Sequence, residues 1–149
     1  MKKLISTLLM GLTLLLFVTS CSQKPTPSPK PKAVDYTNLV GTWKFKSIPG
    51  DSPEAKLSQK LSDRILLFYP DKKAEANLDS IDETEFYKGT VKENADKTAF
   101  ILTLEEIDGP LTLRPTDDAK GYLLEFKDSE NGQLLKLPLI RINNTPKKP

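Results

Sequence analysis

Hydrophobic and polar residues alternate along much of the chain beyond residue 38, as the stretch LVGTWKFKSI at 39–48 illustrates. Leu39, Trp43 and Phe45 fall on one side of an extended chain, and threonine or lysine residues fall on the other. A period of two predicts a half-buried β-strand. Comparable segments follow between turn-forming residues, and together they predict strands at 39–48, 64–69, 73–78, 83–93, 99–106, 109–115, 121–128 and 133–142.

One helix interrupts this pattern after the first strand. Ser52 is a suitable N-cap, Pro53 suits the first helical turn, and Glu54 complements the helix dipole there. Leu57 and Leu61 then lie four residues apart on one face, and the predicted helix ends near residue 62. Eight strands with short connections favour an antiparallel meander that closes into a barrel, because closure leaves no strand edge exposed. The predicted fold class is all-β, with about eight antiparallel strands and one short helix.

The first 20 residues have the pattern of a secretory signal peptide. Lys2 and Lys3 precede an apolar run at 4–18. A run of this length is too short for a helix that spans about 30 Å of hydrocarbon. A buried core helix is the alternative, although the run has no polar face of the kind that a surface helix shows.

The sequence VTSC at 18–21 resembles the lipobox of bacterial lipoproteins: an aliphatic residue, two small residues and then a cysteine. This resemblance implies that Cys21 carries acyl groups such as palmitate, becomes the first mature residue and anchors the protein in a membrane of the cell envelope. Ser22 follows, and since aspartate at this position often retains such proteins in the inner membrane, the outer membrane is favoured if the cell has two. The alternative is an ordinary signal peptide that leaves a free thiol, which an oxidising compartment disfavours.

Proline dominates the segment that follows, and four of the twelve prolines lie within 24–32. Each proline fixes its own φ and pushes the preceding residue toward extended geometry. Residues 21–34 are therefore predicted to form a lipidated, Pro/Lys-rich stalk of about 3 Å per residue. A proline ligand for a recognition domain is the alternative. The globular domain is predicted at 35–144, and 145–149 are predicted to be a disordered tail.

The charge of the domain differs from that of the whole chain, which is +2. Residues 35–144 contain 15 basic and all 20 acidic residues, a net charge of −5. A nucleic-acid partner is not expected, because it requires a basic stripe or patch. The chain has no histidine, which removes the commonest general base and, with the lone cysteine committed to lipid, excludes metal sites of the His or Cys type. Carboxylate clusters at 79–85, 105–108 and 117–118 could hold calcium or simply form solvated turns; no enzyme activity, cofactor or metal is predicted.

The residues LVGTW at 39–43 resemble the opening of lipocalin-like (calycin) domains, whose Gly-x-Trp lies on the first strand of an eight-stranded barrel. The resemblance implies structural roles for Gly41 and Trp43. It also implies that an arginine of the last strand, Arg141 by its order in the chain, packs over the tryptophan. Exposure of Arg141 to solvent is the alternative.

Aromatic residues on the predicted strands are the remaining candidates for a site. They indicate either the lining of an apolar cavity, with tyrosine hydroxyls as polar anchors, or a packed core. In the first case the helix at 52–62 would be a lid over the cavity, and in the second it would be a plug. The leading functional hypothesis is a membrane-anchored, non-enzymatic lipoprotein that binds a small apolar or amphipathic ligand inside its barrel. The alternative is a filled barrel that binds an envelope protein or inhibits an enzyme. The candidate lining residues are Phe45, Tyr69, Tyr87, Phe100, Tyr122 and Phe126.

Overall fold

The structure is a computed structural model that describes residues 32–78, 85–118 and 120–148. These residues belong to one compact unit, Pro31–Pro149. The predicted signal peptide, Cys21 and nearly all of the predicted stalk lie outside the described residues. Among the described residues, no helix has both the length and the apolar composition needed to cross a membrane.

Eight antiparallel strands form a closed barrel in which every strand pairs with its neighbours in sequence and the last strand pairs with the first. The predicted eight-stranded meander is therefore confirmed. The alternation of buried and exposed positions explains why these segments form strands, since one face of each is apolar and lies inward. The strands are β1 Gly41–Phe45, β2 Ile65–Phe68, β3 Lys73–Ala76, β4 Tyr87–Glu93, β5 Phe100–Leu104, β6 Leu111–Pro115, β7 Gly121–Lys127 and β8 Leu134–Asn143.

The predicted helix is also confirmed, as α1 Pro53–Lys60 between β1 and β2. The Ser52 hydroxyl accepts a hydrogen bond from the Ala55 N–H at 3.1 Å, which satisfies one of the free donors at the helix start. Leu57 and Leu61 pack against the barrel core. The helix therefore covers the lower end of the barrel, defined here as the end at which β1 leads into α1.

A short segment closes the upper end, at which β1 begins and β8 ends. The Val34 N–H donates to the Lys97 carbonyl at 2.8 Å, beyond β4. A 3₁₀ turn at Tyr36–Asn38 follows, and the Tyr36 hydroxyl donates to the Tyr69 carbonyl at 2.8 Å, beyond β2. The Tyr36 ring meets the ring of Phe100 edge to face, with centroids 5.7 Å apart. Residues 34–40 thus cross the upper end, and the Tyr36 side chain packs there against the barrel core.

The end of the chain lies on the outer wall of the barrel. The Thr42 hydroxyl donates to the Thr145 carbonyl at 2.8 Å and accepts from the Lys147 N–H at 3.0 Å. The ammonium of Lys148 lies 2.9 Å from a carboxylate oxygen of Glu75. Leu67, which is opposite Thr42 and faces outward, is fully buried. Residues 145–148, predicted as a tail, therefore contact β1 and β3, and these partners are distant in sequence and leave no local pattern.

Candidate functional site

The six aromatic candidates divide into an interior group and one outer residue. Phe45, Phe100 and Tyr122 lie in the core, and Tyr87 and Phe126 pack against it while partly exposed. Tyr69 does not join them. Its hydroxyl donates to Glu75 Oε2 at 3.0 Å on the outer wall. The segment 64–69 is apolar on both faces, so its alternation could not show that Tyr69 faces away from the interior.

Trp43 and Arg141 form a stack near the upper end of the barrel. The guanidinium carbon of Arg141 lies 4.8 Å from the centre of the Trp43 ring, in the arrangement expected from the lipocalin-like resemblance. The Trp43 side chain is 1% exposed, and its Nε1–H donates to the Leu39 carbonyl at 2.7 Å. The Tyr122 ring meets it edge to face, with centroids 5.2 Å apart. These contacts connect the first strand, the last strand and the segment that closes the upper end.

Gly41 allows β1 and β8 to join. Its φ is +138°, in a region that residues with a Cβ rarely adopt. A Cβ at this position would also collide with the carbonyl oxygen of Asn143, next to the irregularity in the β1–β8 register at Thr42 and Trp43. The Gly-x-Trp motif therefore has two physical roles here. The glycine allows β1 and β8 to approach closely, and the tryptophan side chain packs in the barrel interior.

Side chains from four strands pack tightly in the barrel interior. Any space large enough for one water molecule would leave accessible surface on the residues around it. Six interior side chains, drawn from four of the eight strands and spread around the barrel, have no accessible surface. These are Leu66, Phe68, Phe100, Leu102, Leu113 and Leu137. Of the six aromatic candidates, Phe100 belongs to this packed group, whereas Tyr87 and Phe126 keep part of their surface accessible.

An open groove of about 820 Å³ lies on the outer wall instead, around β3 and β4. Tyr69, Glu75, Lys88 and Glu105 contribute polar and charged groups to it. Burial, reinforced by the hydrogen bond to Glu75, raises the pKa of the Tyr69 hydroxyl to about 12, so this group stays neutral and donates its proton at physiological pH. The groove thus offers a mixed-charge surface without a dominant sign.

Three exposed carboxyl groups have displaced pKa values, and all three are displaced downward. A side-chain hydrogen bond is the main cause in each case: Thr37 lowers the pKa of Asp35, Lys73 that of Asp71 and Thr116 that of Asp118. These carboxylates are therefore ionised at neutral pH. Among the described residues, no three acidic, histidine or cysteine side chains are grouped so that they could hold a metal ion.

The outer face of β8 is a surface that the sequence analysis did not single out. Leu134, Ile140 and Ile142 are 47%, 42% and 53% exposed, and no other large hydrophobic residue among those described is exposed. Their neighbours along the strand, Leu135 and Leu139, are buried in the barrel. A signal was present, since leucine and isoleucine occupy both faces of the segment 133–142, but its interpretation required knowing which face the barrel buries.

No protein-family model, curated protein or solved structure matches this chain significantly. The class that the fold and the site define is a closed, eight-stranded antiparallel β-barrel. Among the described residues, a groove at β3 and β4 and the exposed apolar residues of β8 lie on its outer wall.

Proposed function

We propose that this chain is a bacterial lipoprotein, anchored in the cell envelope through lipid on Cys21, whose filled barrel acts as an interaction module. The filled interior carries this proposal. With no accessible surface on six side chains around the core, a ligand would have to displace packed leucine and phenylalanine residues to enter. Binding energy therefore comes more readily from the outer wall, which needs no rearrangement.

The closed ends support the same function. Tyr36 holds the upper end through a hydrogen bond to the Tyr69 carbonyl, and Leu57 and Leu61 hold the lower end by packing into the core. Burial raises the pKa of Tyr36 to about 12, so its hydroxyl remains a donor across the physiological range. Uptake of a small apolar ligand would require one of these closures to open and the aromatic core to repack.

An apolar dye titration tests this function. The domain at 31–149, which contains every core residue among those that the structure describes, is titrated with a dye that fluoresces in apolar surroundings. We expect no saturable binding near one dye per chain, because a dye would have to displace packed interior side chains. Circular dichroism establishes that the domain is folded. Saturable binding at one site, with displacement by a fatty acid, would contradict the proposal and establish the small-ligand carrier instead.

Removal of the anchor is a separate prediction. In the full chain, Cys21→Ser should transfer the protein from the membrane fraction to the soluble fraction after a high-salt wash, because serine lacks the thiol that would carry the lipid. Ser28→Ala, within the stalk, is the matched control and should stay in the membrane fraction. The measurement is the distribution of the protein between washed membranes and supernatant. Retention of the Cys21→Ser protein equal to that of the control would rule out the lipid anchor.

A further inference from the structure

The outward-facing apolar residues of β8 are here called the β8 ridge, defined as Leu134, Pro138, Ile140 and Ile142. All four lie on the outer face of one strand, and Leu123 of β7 is directly opposite Pro138. The strand segment 134–142 extends for about 30 Å at about 3.3 Å per residue. Single exposed hydrophobic residues are ordinary, but their concentration on one face of one strand indicates a contact surface.

Basic residues border the β8 ridge on both sides. Lys127 of β7 is directly opposite Leu134, and Lys44 of β1 is directly opposite Ile140. The Lys46 N–H donates to the Pro138 carbonyl at 2.8 Å, which places this lysine beside the centre of the ridge. Each lysine has a long aliphatic stem, so its ammonium can extend past an apolar neighbour to a polar layer.

The only acidic residue on the outward face of β1, β6, β7 and β8 is Glu125. Its carboxylate forms ion pairs with two basic side chains. Its side chain is nearly buried, with Arg114 Nε at 3.4 Å from one carboxylate oxygen and Lys136 Nζ at 3.5 Å from the other. Lys44 has an exposed ion pair with Asp63 at 3.3 Å, a type of pair that solvent weakens strongly. This wall is therefore locally basic, although the domain as a whole has a net charge of −5.

We propose that the β8 ridge and its bordering lysines dock the domain on a membrane surface that contains anionic lipid. Leu134, Ile140 and Ile142 enter the boundary between headgroups and acyl chains, and Lys44, Lys46 and Lys127 contact lipid phosphates. An apolar strip with basic flanks is the composition that interfacial membrane binding requires. This inference uses the proposed function in one respect only: a lipid on Cys21 keeps the ridge close to a membrane.

The shape of the ridge favours lipid over a protein partner. A stable protein interface buries about 800 Å² on each side with close packing at its centre. The ridge is narrow, lies on a convex barrel wall and is interrupted by Lys136, so its exposed apolar groups are separated along the strand. A fluid lipid surface accommodates separated groups on a convex wall without shape complementarity, whereas a folded partner does not.

Vesicle sedimentation with the lipid-free domain at 31–149 tests this inference. We expect the domain to bind vesicles of equal parts phosphatidylglycerol and phosphatidylcholine and not to bind vesicles of phosphatidylcholine alone. The bound domain should dissociate from the vesicles as the salt concentration rises. Ile140→Ser with Ile142→Ser should weaken binding about tenfold, and Lys44→Gln with Lys127→Gln should weaken it by a similar or larger factor.

A matched control comes from the opposite wall, where Lys88 and Lys92 are exposed on β4. Lys88→Gln with Lys92→Gln removes the same charge as the ridge lysine variant and should leave vesicle binding nearly unchanged. Equal losses from the two lysine pairs would mean that net charge alone drives binding, which overturns the ridge. A folded domain that binds neither type of vesicle also overturns it. Neither outcome affects the dye titration or the Cys21→Ser result, because those experiments use no vesicles.

Discussion

Trp43→Ala is expected to lower the free energy of unfolding of the domain by about 3–5 kcal/mol. The indole is 1% exposed, so its removal leaves a large cavity beside the Tyr122 ring, 5.2 Å away. The same change removes the donor at 2.7 Å from the Leu39 carbonyl and leaves that buried oxygen without a partner. Urea unfolding followed by circular dichroism measures the effect.

Two further variants separate the contributions of the Trp43 ring, its hydrogen bond and its contact with Arg141 to the free energy of unfolding. Trp43→Phe retains an aromatic ring and loses the Nε1–H, so its cost should be smaller than that of the alanine variant. Arg141→Ala removes the guanidinium that lies 4.8 Å from the Trp43 ring centre. The two alanine substitutions should be non-additive by about 0.5–2 kcal/mol, because each removes the same contact. Strict additivity would show that the stack contributes nothing to stability.

Phe100→Ala is expected to lower the free energy of unfolding by about 3–5 kcal/mol and to leave an apolar cavity at the site of the ring. The Phe100 side chain has no accessible surface, and the rings of Tyr36 and Tyr122 have their centroids at 5.7 and 6.1 Å from its own. An engineered apolar cavity of this kind remains dry and can bind a small aromatic molecule. Thermal unfolding with and without benzene measures both effects, since a ligand that binds only the folded state raises the melting temperature.

Ile101→Ala is the matched control on the same strand. Ile101 is half-buried on the outer wall, so its truncation should cost less and should open no interior space. Benzene should therefore stabilise the Phe100→Ala variant and neither the control nor the unchanged domain. Stabilisation of the unchanged domain by benzene would mean that its interior already has accessible space, contrary to the packing described above.

Local patterns were sufficient to predict the strands. The alternation in β1 puts Trp43 and Phe45 inward and Lys44 outward, and β5 and β7 follow the same rule. The predicted segments contain the observed strands to within one residue at the end of β8, because a strand that buries one face must alternate with period two. The helix was predictable for a similar reason: its cap, its first-turn proline and its apolar spacing all lie within ten residues.

The candidate site was less predictable, because its character depends on contacts between residues that are distant in the chain. Inward-facing aromatic residues are compatible with a cavity or with a core, and the burial of each ring, such as the complete burial of Phe100, depends on the folded barrel. Tyr69 has no local signal for its side of the wall, since its segment is apolar on both faces. The hydrogen bond from the Thr42 hydroxyl to the Thr145 carbonyl joins residues 103 positions apart.

The sequence by itself determined the number of strands, the position of the helix and the expectation of an exported, lipid-anchored protein. These features are encoded within short segments, through periodicity, capping and a signal-like leader. The tertiary structure alone decided which interior side chains are fully buried, that residues 145–148 contact the outer wall and that the exposed apolar residues share one face of β8. The physical reason is that burial is a collective property: whether Ile140 or Leu139 faces solvent depends on which side of β8 the other seven strands enclose.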